Sequence, residues 1–425
     1  MLKTVKVGLK NEKIFPESAM TKMISVALVG ICGYGKNYIP HLLKLTNQGA
    51  IRFIGAIEPY PAGCPFLPEL RAAGVPLYAS VEEFYKQAYA DLVILATPIN
   101  LHCAQTCLAL SMRSNVLCEK PIAATIQDAE TIAAASSESK KFVAIGYQWS
   151  FTDAIQDLKR DIMLGLFGKA RRFKSLVLWP RDDRYYKRNN WAGRRRAGDN
   201  SWILDSPINN AIAHYLHNMF YVLGSQIHNS AKPVSVVAEI YRANNIENFD
   251  TAALRCQTDT GVEMLFYTSH AVPEYRGPVL CYEFENATVR YETDGYGEDN
   301  PLITAHYKDG KVKNYGCPDN QPFKKLYDAL EAVKTGKPVV CGADAAISQT
   351  LCINGAQDSV EEIVDFPGAL VSVKSVSEGN VRCVEGLSKI LSRCYEECVL
   401  PSEAGTTWAK KGRTIDLTSY HSYPM

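Results

Sequence analysis

The sequence has no excess charge of either sign: 46 Lys and Arg stand against 45 Asp and Glu. With such a balance no basic patch dominates, and neither nucleic acid nor a membrane surface is the expected partner. No apolar run approaches the roughly 20 residues needed to span a bilayer. The opening MLKTVKVGLK has no continuous apolar segment, so no signal peptide is expected. The 13 cysteines are odd in number and contain no Cys-x-x-Cys pair. That pattern fits reduced thiols in a cytoplasmic protein, which is the expectation. Cys103/Cys107 and Cys394/Cys398 are spaced for one helix face, but no further ligands stand at metal-binding spacing. They read as small buried hydrophobes, and no metal is expected. Internal repeats and low-complexity segments are also missing.

What remains is a chain of 425 residues, 47% hydrophobic, long enough for two domains. Its first third alternates apolar runs with helical patterns. Strands are expected at 24–30, 51–57, 91–96, 115–118 and 142–147, and helices at 34–46, 81–88, 101–113 and 126–139. Asn100 suits the N-cap of the third helix, and Thr125 with Asp128 resembles a capping box for the fourth. This alternation predicts a doubly wound parallel sheet. The pattern changes near residue 150. A helix at 151–166 precedes long strands at 170–179, 232–243, 250–258, 261–271 and 278–292, with turns at Gly261 and Gly295. Long strands joined by short turns predict a large, mostly antiparallel open sheet in a C-terminal α+β region. Helices return at 321–335 and 343–361. The tail from 380 holds one more, and TTWAKKGRTIDL at 406–417 has no clear assignment.

At residues 26–35, VALVGICGYG, an apolar strand runs into a glycine turn before a helix. Glycine lets a backbone approach pyrophosphate closely, and the helix start offers free N–H groups and a positive dipole end. Gly30 and Gly35 fit the outer positions of G-x-G-x-x-G. Cys32 takes the middle one, with Gly33 beside it able to serve a shifted turn, and Tyr34 completes the segment. Glu58 ends the second strand, where a carboxylate binds ribose hydroxyls and repels a 2′-phosphate. Pro59 and Tyr60 supply no cation, so NAD is expected over NADP.

TPINLH at 97–102, CEKPI at 118–122 and GYQ at 146–148 follow in order after strand ends. With the glycine turn, these segments resemble the Gfo/Idh/MocA oxidoreductases, which act mostly on sugars and polyols. The resemblance implies a lead-in at 1–23, a dinucleotide-binding Rossmann domain at 24–149 and a substrate-binding and oligomerisation domain at 150–425. It implies that Thr97, Pro98 and Asn100 line the ribose–nicotinamide path, with His102 orienting the loop and Gln148 close by. Glu119 and Lys120 would sit at the nicotinamide, with Lys120 on the reacting hydroxyl. It also implies a homo-oligomer paired through the C-terminal sheet.

The second family signature is an Asp and a His four apart, and its counterpart lies in 205–224. Ser206, Pro207 and Gly224 read as N-cap, first helical position and stop. Ile208, Ile212, Tyr215, Met219 and Val222 form an apolar stripe, and Asn210, His214, His217 and Tyr221 a polar one. Two histidines without Lys, Arg or Glu suit a cleft better than a solvated face. Asn210 stands where the family usually has aspartate, so His214 is a weaker base or Lys120 carries more of the proton transfer.

The loop WPRDDRYYKRNNWAGRRR at 179–196 mixes rings with cations and amides, as a carbohydrate site does. Trp179, Arg184, Tyr185, Tyr186, Asn190 and Trp191 are the expected substrate contacts, together with His217. A solvated loop or an oligomer contact is the plainer reading. The function expected from all this is hydride transfer between NAD and a secondary hydroxyl of a sugar, glycoside or polyol. Two alternatives remain: a glycosidase or lyase that oxidises the sugar transiently, with Tyr185 or Tyr186 as the extra base, and a non-enzymatic dinucleotide-binding regulator.

Overall fold

A computed structural model describes residues 23–293, 301–376 and 379–424. The lead-in at 1–22 and the turn at Gly295 lie outside these residues. Strands buried on both faces need near-continuous apolar sequence, and the first six have it. They are β1 Ile24–Val29, β2 Ile51–Ile57, β3 Leu77–Tyr78, β4 Leu92–Leu95, β5 Asn115–Cys118 and β6 Val143–Ile145. Every pairing in this sheet is parallel, in the order β3-β2-β1-β4-β5-β6. Chain direction across the sheet reverses between β1 and β4, which opens a crevice beyond their carboxyl ends. The two-residue β3 is too short for alternation to reveal it in the sequence.

Two helix starts differ from expectation. The segment 34–46 is a 3-10 turn at Tyr34–Asn37 followed by an α-helix at Ile39–Asn47. Asn100 lies inside another 3-10 turn, Ile99–Leu101, and does not cap the helix His102–Ser111. Its amide donates instead to Ser201 Oγ at 3.1 Å, because the second half of the chain reaches over this loop. Thr125 does cap Ile126–Ser139, its Oγ1 accepting from the Asp128 N–H at 3.4 Å.

The second sheet contains β7 Ala170–Leu178, β8 Pro233–Arg242, β9 Thr251–Thr258, β10 Glu263–Ser269, β11 Arg276–Phe284, β12 Ala287–Glu292, β13 Ile303–Tyr307, β14 Val312–Gly316 and β15 Val364–Asp365. The expected strand 278–292 is a hairpin, turning at Glu285 and Asn286. The order is β14-β13-β12-β11-β7-β10-β9-β8-β15. A hairpin of β16 Val371–Val376 and β17 Gly379–Val384 stands apart, and β18 Ile415–Asp416, in the stretch that sequence left unassigned, joins β8. Most pairings are antiparallel; β7–β10 and β8–β15 are parallel.

Alternate residues of this sheet enter two different cores. Phe173, Val177, Leu254, Met264 and Phe266 join a cluster that also contains the strands of the first sheet. Leu176, Leu178, Leu265, Tyr267 and Val279 face the opposite way, under Leu387, Leu391, Cys394 and Tyr395 of the helix Leu387–Glu397. Part of the face expected to pair subunits is therefore covered by the chain itself. The cover is the chain's own C-terminal helix, with Leu400 and Trp408 after it.

The segment 205–224 also departs from expectation. Pro207–Asn209 forms one 3-10 turn, Asn210 breaks it with φ −136° and ψ −95°, and the α-helix runs only from Ala213 to Val222. Ser206 Oγ is buried without a hydrogen-bond partner, so it caps nothing. The 3.6-residue periodicity is real from residue 213 onward; before that the chain turns to meet Lys120.

Candidate active site

The glycine turn shows why each residue type is there. Gly30 has φ +83°, and a Cβ on it would lie 2.6 Å from the Ala96 carbonyl oxygen. A Cβ on Gly35 would lie 2.0 Å from Gly30 O. These two glycines are demanded by packing of the turn against β4. Gly33 differs: a Cβ there meets nothing within 4 Å, so its backbone faces open space. Cys32 turns away, with its thiol 3.5 Å from the Tyr60 carbonyl. Burial, and then the Glu58 carboxylate, push that thiol up to about 12, so it stays protonated. The Glu58 carboxylate ends β2 and accepts weakly from the Tyr60 N–H at 3.4 Å. An open backbone at Gly33 and a carboxylate at the end of β2 suit the pyrophosphate and ribose of a dinucleotide.

His102 is 1% exposed and ties two site loops together. Its Nδ1 lies 2.8 Å from Pro121 O and its Nε2 3.0 Å from Thr97 O. Thr97 Oγ1 donates to Gln105 at 2.6 Å, and Pro98 leads into the turn at 99–101. Glu119 is buried and held from three sides. Tyr38 Oη donates to its Oε1 at 2.6 Å, Lys325 Nζ lies 2.5 Å from the same oxygen, and the Lys120 N–H reaches Oε2 at 3.3 Å. Gly146 makes room for this carboxylate, since a Cβ there would lie 2.8 Å from Oε2. Next to it, Gln148 opens the 3-10 turn Gln148–Phe151.

Lys120 precedes a cis proline and sends its amine to Asn210. Nζ lies 2.6 Å from the Asn210 main-chain oxygen and 3.4 Å from Oδ1. Burial lowers its pKa to about 8; Lys325 and Arg188 push the same way, while Glu119 and Asp205 oppose them. Asn210 Nδ2 donates to Asp205 Oδ1 at 2.7 Å. His214, on the first turn of the helix, has a buried Nδ1 with no hydrogen-bond partner, and its ring meets Tyr147 edge to face. Burial, reinforced by Lys120, Lys325 and His217, holds it well below the ordinary imidazole range. The structure thus brings Lys120, Asn210 and His214 together, but through a kinked turn and not along one helix face.

The expected substrate residues separate. His217 is sealed in the core, stacked on Tyr147 at 3.8 Å with Nε2 3.0 Å from Ser150 Oγ, and it reaches no cleft. Trp179 is also core, 5% exposed, with Nε1 donating to Gly277 O at 2.9 Å. Arg184 is exposed and paired with Asp182 at 2.9 Å. Tyr185 lies under the Arg188 guanidinium, 3.8 Å from its ring centroid, and Arg188 also faces Trp191 at 5.3 Å. Tyr186 and Asn190 line a separate cavity of about 790 Å³ with Asn244, Arg194 and Arg382, and Tyr186 Oη lies 3.2 Å from His270 Nδ1. Sequence reasoning missed Lys325, Arg188 and Asp205. Lys325 follows Lys324 in a helix, and nothing in the pair signals that one is buried on Glu119 while the other, bound to Asp328, stays near solvent.

Comparison with known proteins bears on the first third of the chain. Residues 24–147 match the family model described as "Oxidoreductase family, NAD-binding Rossmann fold". The chain is 26% identical over 149 residues to the 1-carboxy-3-chloro-3,4-dihydroxycyclohexa-1,5-diene dehydrogenase of Comamonas testosteroni, covering 35% of this chain and 37% of that protein. It is 29% identical over 142 residues to inositol 2-dehydrogenase 1 of Saccharopolyspora erythraea, covering 33% and 42% respectively. The matches thus span less than half the length of these curated relatives. In fold the likeness extends further. The WlbA dehydrogenase of Bordetella pertussis, solved with NADH and UDP-GlcNAcA, superposes with a TM-score of 0.65 at 20% identity over 80% of this chain and 98% of that one. Residues 24–147, which hold the glycine turn and the Glu-Lys-Pro element, thus match the NAD-binding Rossmann domain of the Gfo/Idh/MocA oxidoreductases.

Proposed function

We propose that the protein is an NAD-dependent oxidoreductase acting on a secondary hydroxyl of a sugar, glycoside or polyol. The observation that carries this reading is Lys120. Its amine lies where the first sheet's loops meet the helix start at residue 213, with its pKa lowered to about 8. Bound NAD would supply the hydride acceptor, held by Gly30, Gly33, Gly35 and Glu58. The chain's own residues handle the proton. A neutral amine has two N–H groups and one lone pair. Asn210 offers two oxygens to the N–H groups, which leaves the lone pair for a substrate hydroxyl. Since His214 is pushed well below Lys120, the lysine is the stronger base at neutral pH. His214 then serves as a neutral partner that positions the hydroxyl. Tyr185, Arg188 and Trp191 stand beside this centre as the sugar-contacting surface. Expression in the cytoplasm, where thiols stay reduced, suits the free cysteines.

Glu58 favours NAD over NADP by repelling a 2′-phosphate. Glu58→Ser should therefore narrow the NAD preference about tenfold, a difference of roughly 1.4 kcal/mol. The decisive experiment incubates the full chain with NAD or NADP and a panel of sugars, polyols and aryl glycosides, following NADH by absorbance and products by chromatography. NADH formation on one substrate supports the proposal. Substrate conversion with no NADH at any time sinks it.

A further inference from the structure

We propose that Asp205 is a positioning residue for Lys120, acting through Asn210, so that a carboxylate one side chain removed replaces the aspartate that Asn210 displaces. The inference rests on the Lys120-centred reading above.

Asp205 is 2% exposed and lies where the chain turns into 207–209. Its carboxylate oxygens meet only donors: the Gly193 N–H on Oδ2 at 2.6 Å, Asn210 Nδ2 on Oδ1 at 2.7 Å, and Arg188, whose guanidinium lies 3.8 Å from Oδ2. Asn248 Nδ2 fixes its main-chain oxygen at 3.0 Å. Burial raises this carboxyl, while Arg188, the Gly193 N–H and the Asn210 amide favour its ionised form. An amide has one accepting end and one donating end. A carboxylate only accepts, so Asp205 binds the NH₂ end of Asn210 and leaves Oδ1 turned to Lys120, which only donates when charged. The carboxylate thus fixes which way the amide points, and its charge reaches the amine across a polarised amide.

The consequence concerns proton uptake. When the substrate O–H bond breaks and an N–H bond forms on Nζ, the new ammonium needs a counter-charge. Charged or titratable groups facing Lys120 are Glu119, Lys325, Asp205, Arg188 and His214. Glu119 is already neutralised by Lys325 at 2.5 Å, and Arg188 and Lys325 oppose a further positive charge. That leaves Asp205, whose cation Arg188 stands at 3.8 Å against 2.5 Å for Lys325 on Glu119, as the more loosely paired anion toward Lys120.

The test is the titration of Lys120 in the free protein, read by the pH dependence of amine labelling and mass spectrometry, beside the kinetic pH profile. In Asp205→Asn the labelling midpoint of Lys120 should fall by about one pH unit, a tenfold change in proton affinity. The kcat profile should move with it, with KM little changed. The double variant Asp205→Asn with Asn210→Asp moves the charge next to the amine and should restore both. An unchanged midpoint in Asp205→Asn, or a double variant no better than the single, overturns the proposal. If Asp205→Asn does not fold, Asn210→Asp alone decides: the midpoint should rise, and a midpoint that stays put overturns the proposal. Labelling needs no substrate. A responsive Lys120 in a chain that oxidises no sugar would refute the oxidoreductase reading and leave the Asp205–Asn210 arrangement standing.

Discussion

Lys120 and Lys325 show how placement decides what one side chain does. Lys325 is fully buried against Glu119, while Lys120 faces carbonyl oxygens and its pKa falls to about 8. If Lys120 must be neutral to accept a proton, oxidation should rise with pH through about 8 and level off above it. The reverse reduction, which needs the ammonium, should fall over the same range. Initial rates in both directions check this; Lys120→Ala should lose on the order of a thousandfold in kcat and keep NAD binding. Lys325→Met leaves Glu119 buried with Tyr38 as its remaining side-chain donor, and should cost about 3 kcal/mol in urea unfolding. A third lysine gives a stability effect of definite sign. Lys159 is buried with Nζ 3.6 Å from the Tyr221 ring centroid, and burial lowers it to about 7. The folded chain then releases this proton before the unfolded chain, whose lysine titrates near 10.5. Between those values the unfolded state holds more protons, so this group's contribution to stability rises with pH. Lys159→Met should flatten that rise in denaturation midpoints measured from pH 7 to 10. Of these three lysines only Lys120 was legible in the sequence, because only it sits in a motif.

At the scale of elements, local signals were right where the partner is local. Thr125 caps its helix, and its Oγ1 also donates to the Asp128 carboxylate at 2.8 Å. Thr125→Ala should cost about 1 kcal/mol, visible as a lower melting temperature. Asn100 and Ser206 have equally good capping sequences and cap nothing. Asn100 is drawn to Ser201, 101 residues away, and Ser206 precedes a turn held by contacts with Asp205 and Lys120. The helix around His214 was recognisable from its 3.6-residue stripe. Its late start was not, because the break at Asn210 lies against an amine from a loop 90 residues earlier.

Across the whole molecule, both faces of the second sheet carry buried apolar residues, and the family resemblance implied that this sheet pairs subunits. The helix Leu387–Glu397 takes part of one face for the chain itself. Leu391, 0% exposed, stands at the centre of the contact. Leu391→Ala should destabilise by about 3 kcal/mol without changing the oligomeric state seen by light scattering. A shift in mass with unchanged unfolding would show instead that this face is shared between copies. Joining the two sheets is the helix Ala343–Asp358, where Asn354 bonds Ile126 N at 2.7 Å and Gln349 links Tyr147 to Ile208.

The sequence by itself determined the alternating strands and helices, the glycine turn and the Glu-Lys-Pro element. These depend on contacts within a few residues or on the period of a buried face. Only the tertiary structure decided that Lys325 neutralises Glu119, that Asp205 stands behind Asn210, that His217 and Trp179 belong to the core, and that part of the outer sheet is covered. Each of those outcomes joins side chains distant in the chain or places them beneath distant segments. A buried charge acquires its partner, and its pKa, only from whatever the fold places beside it.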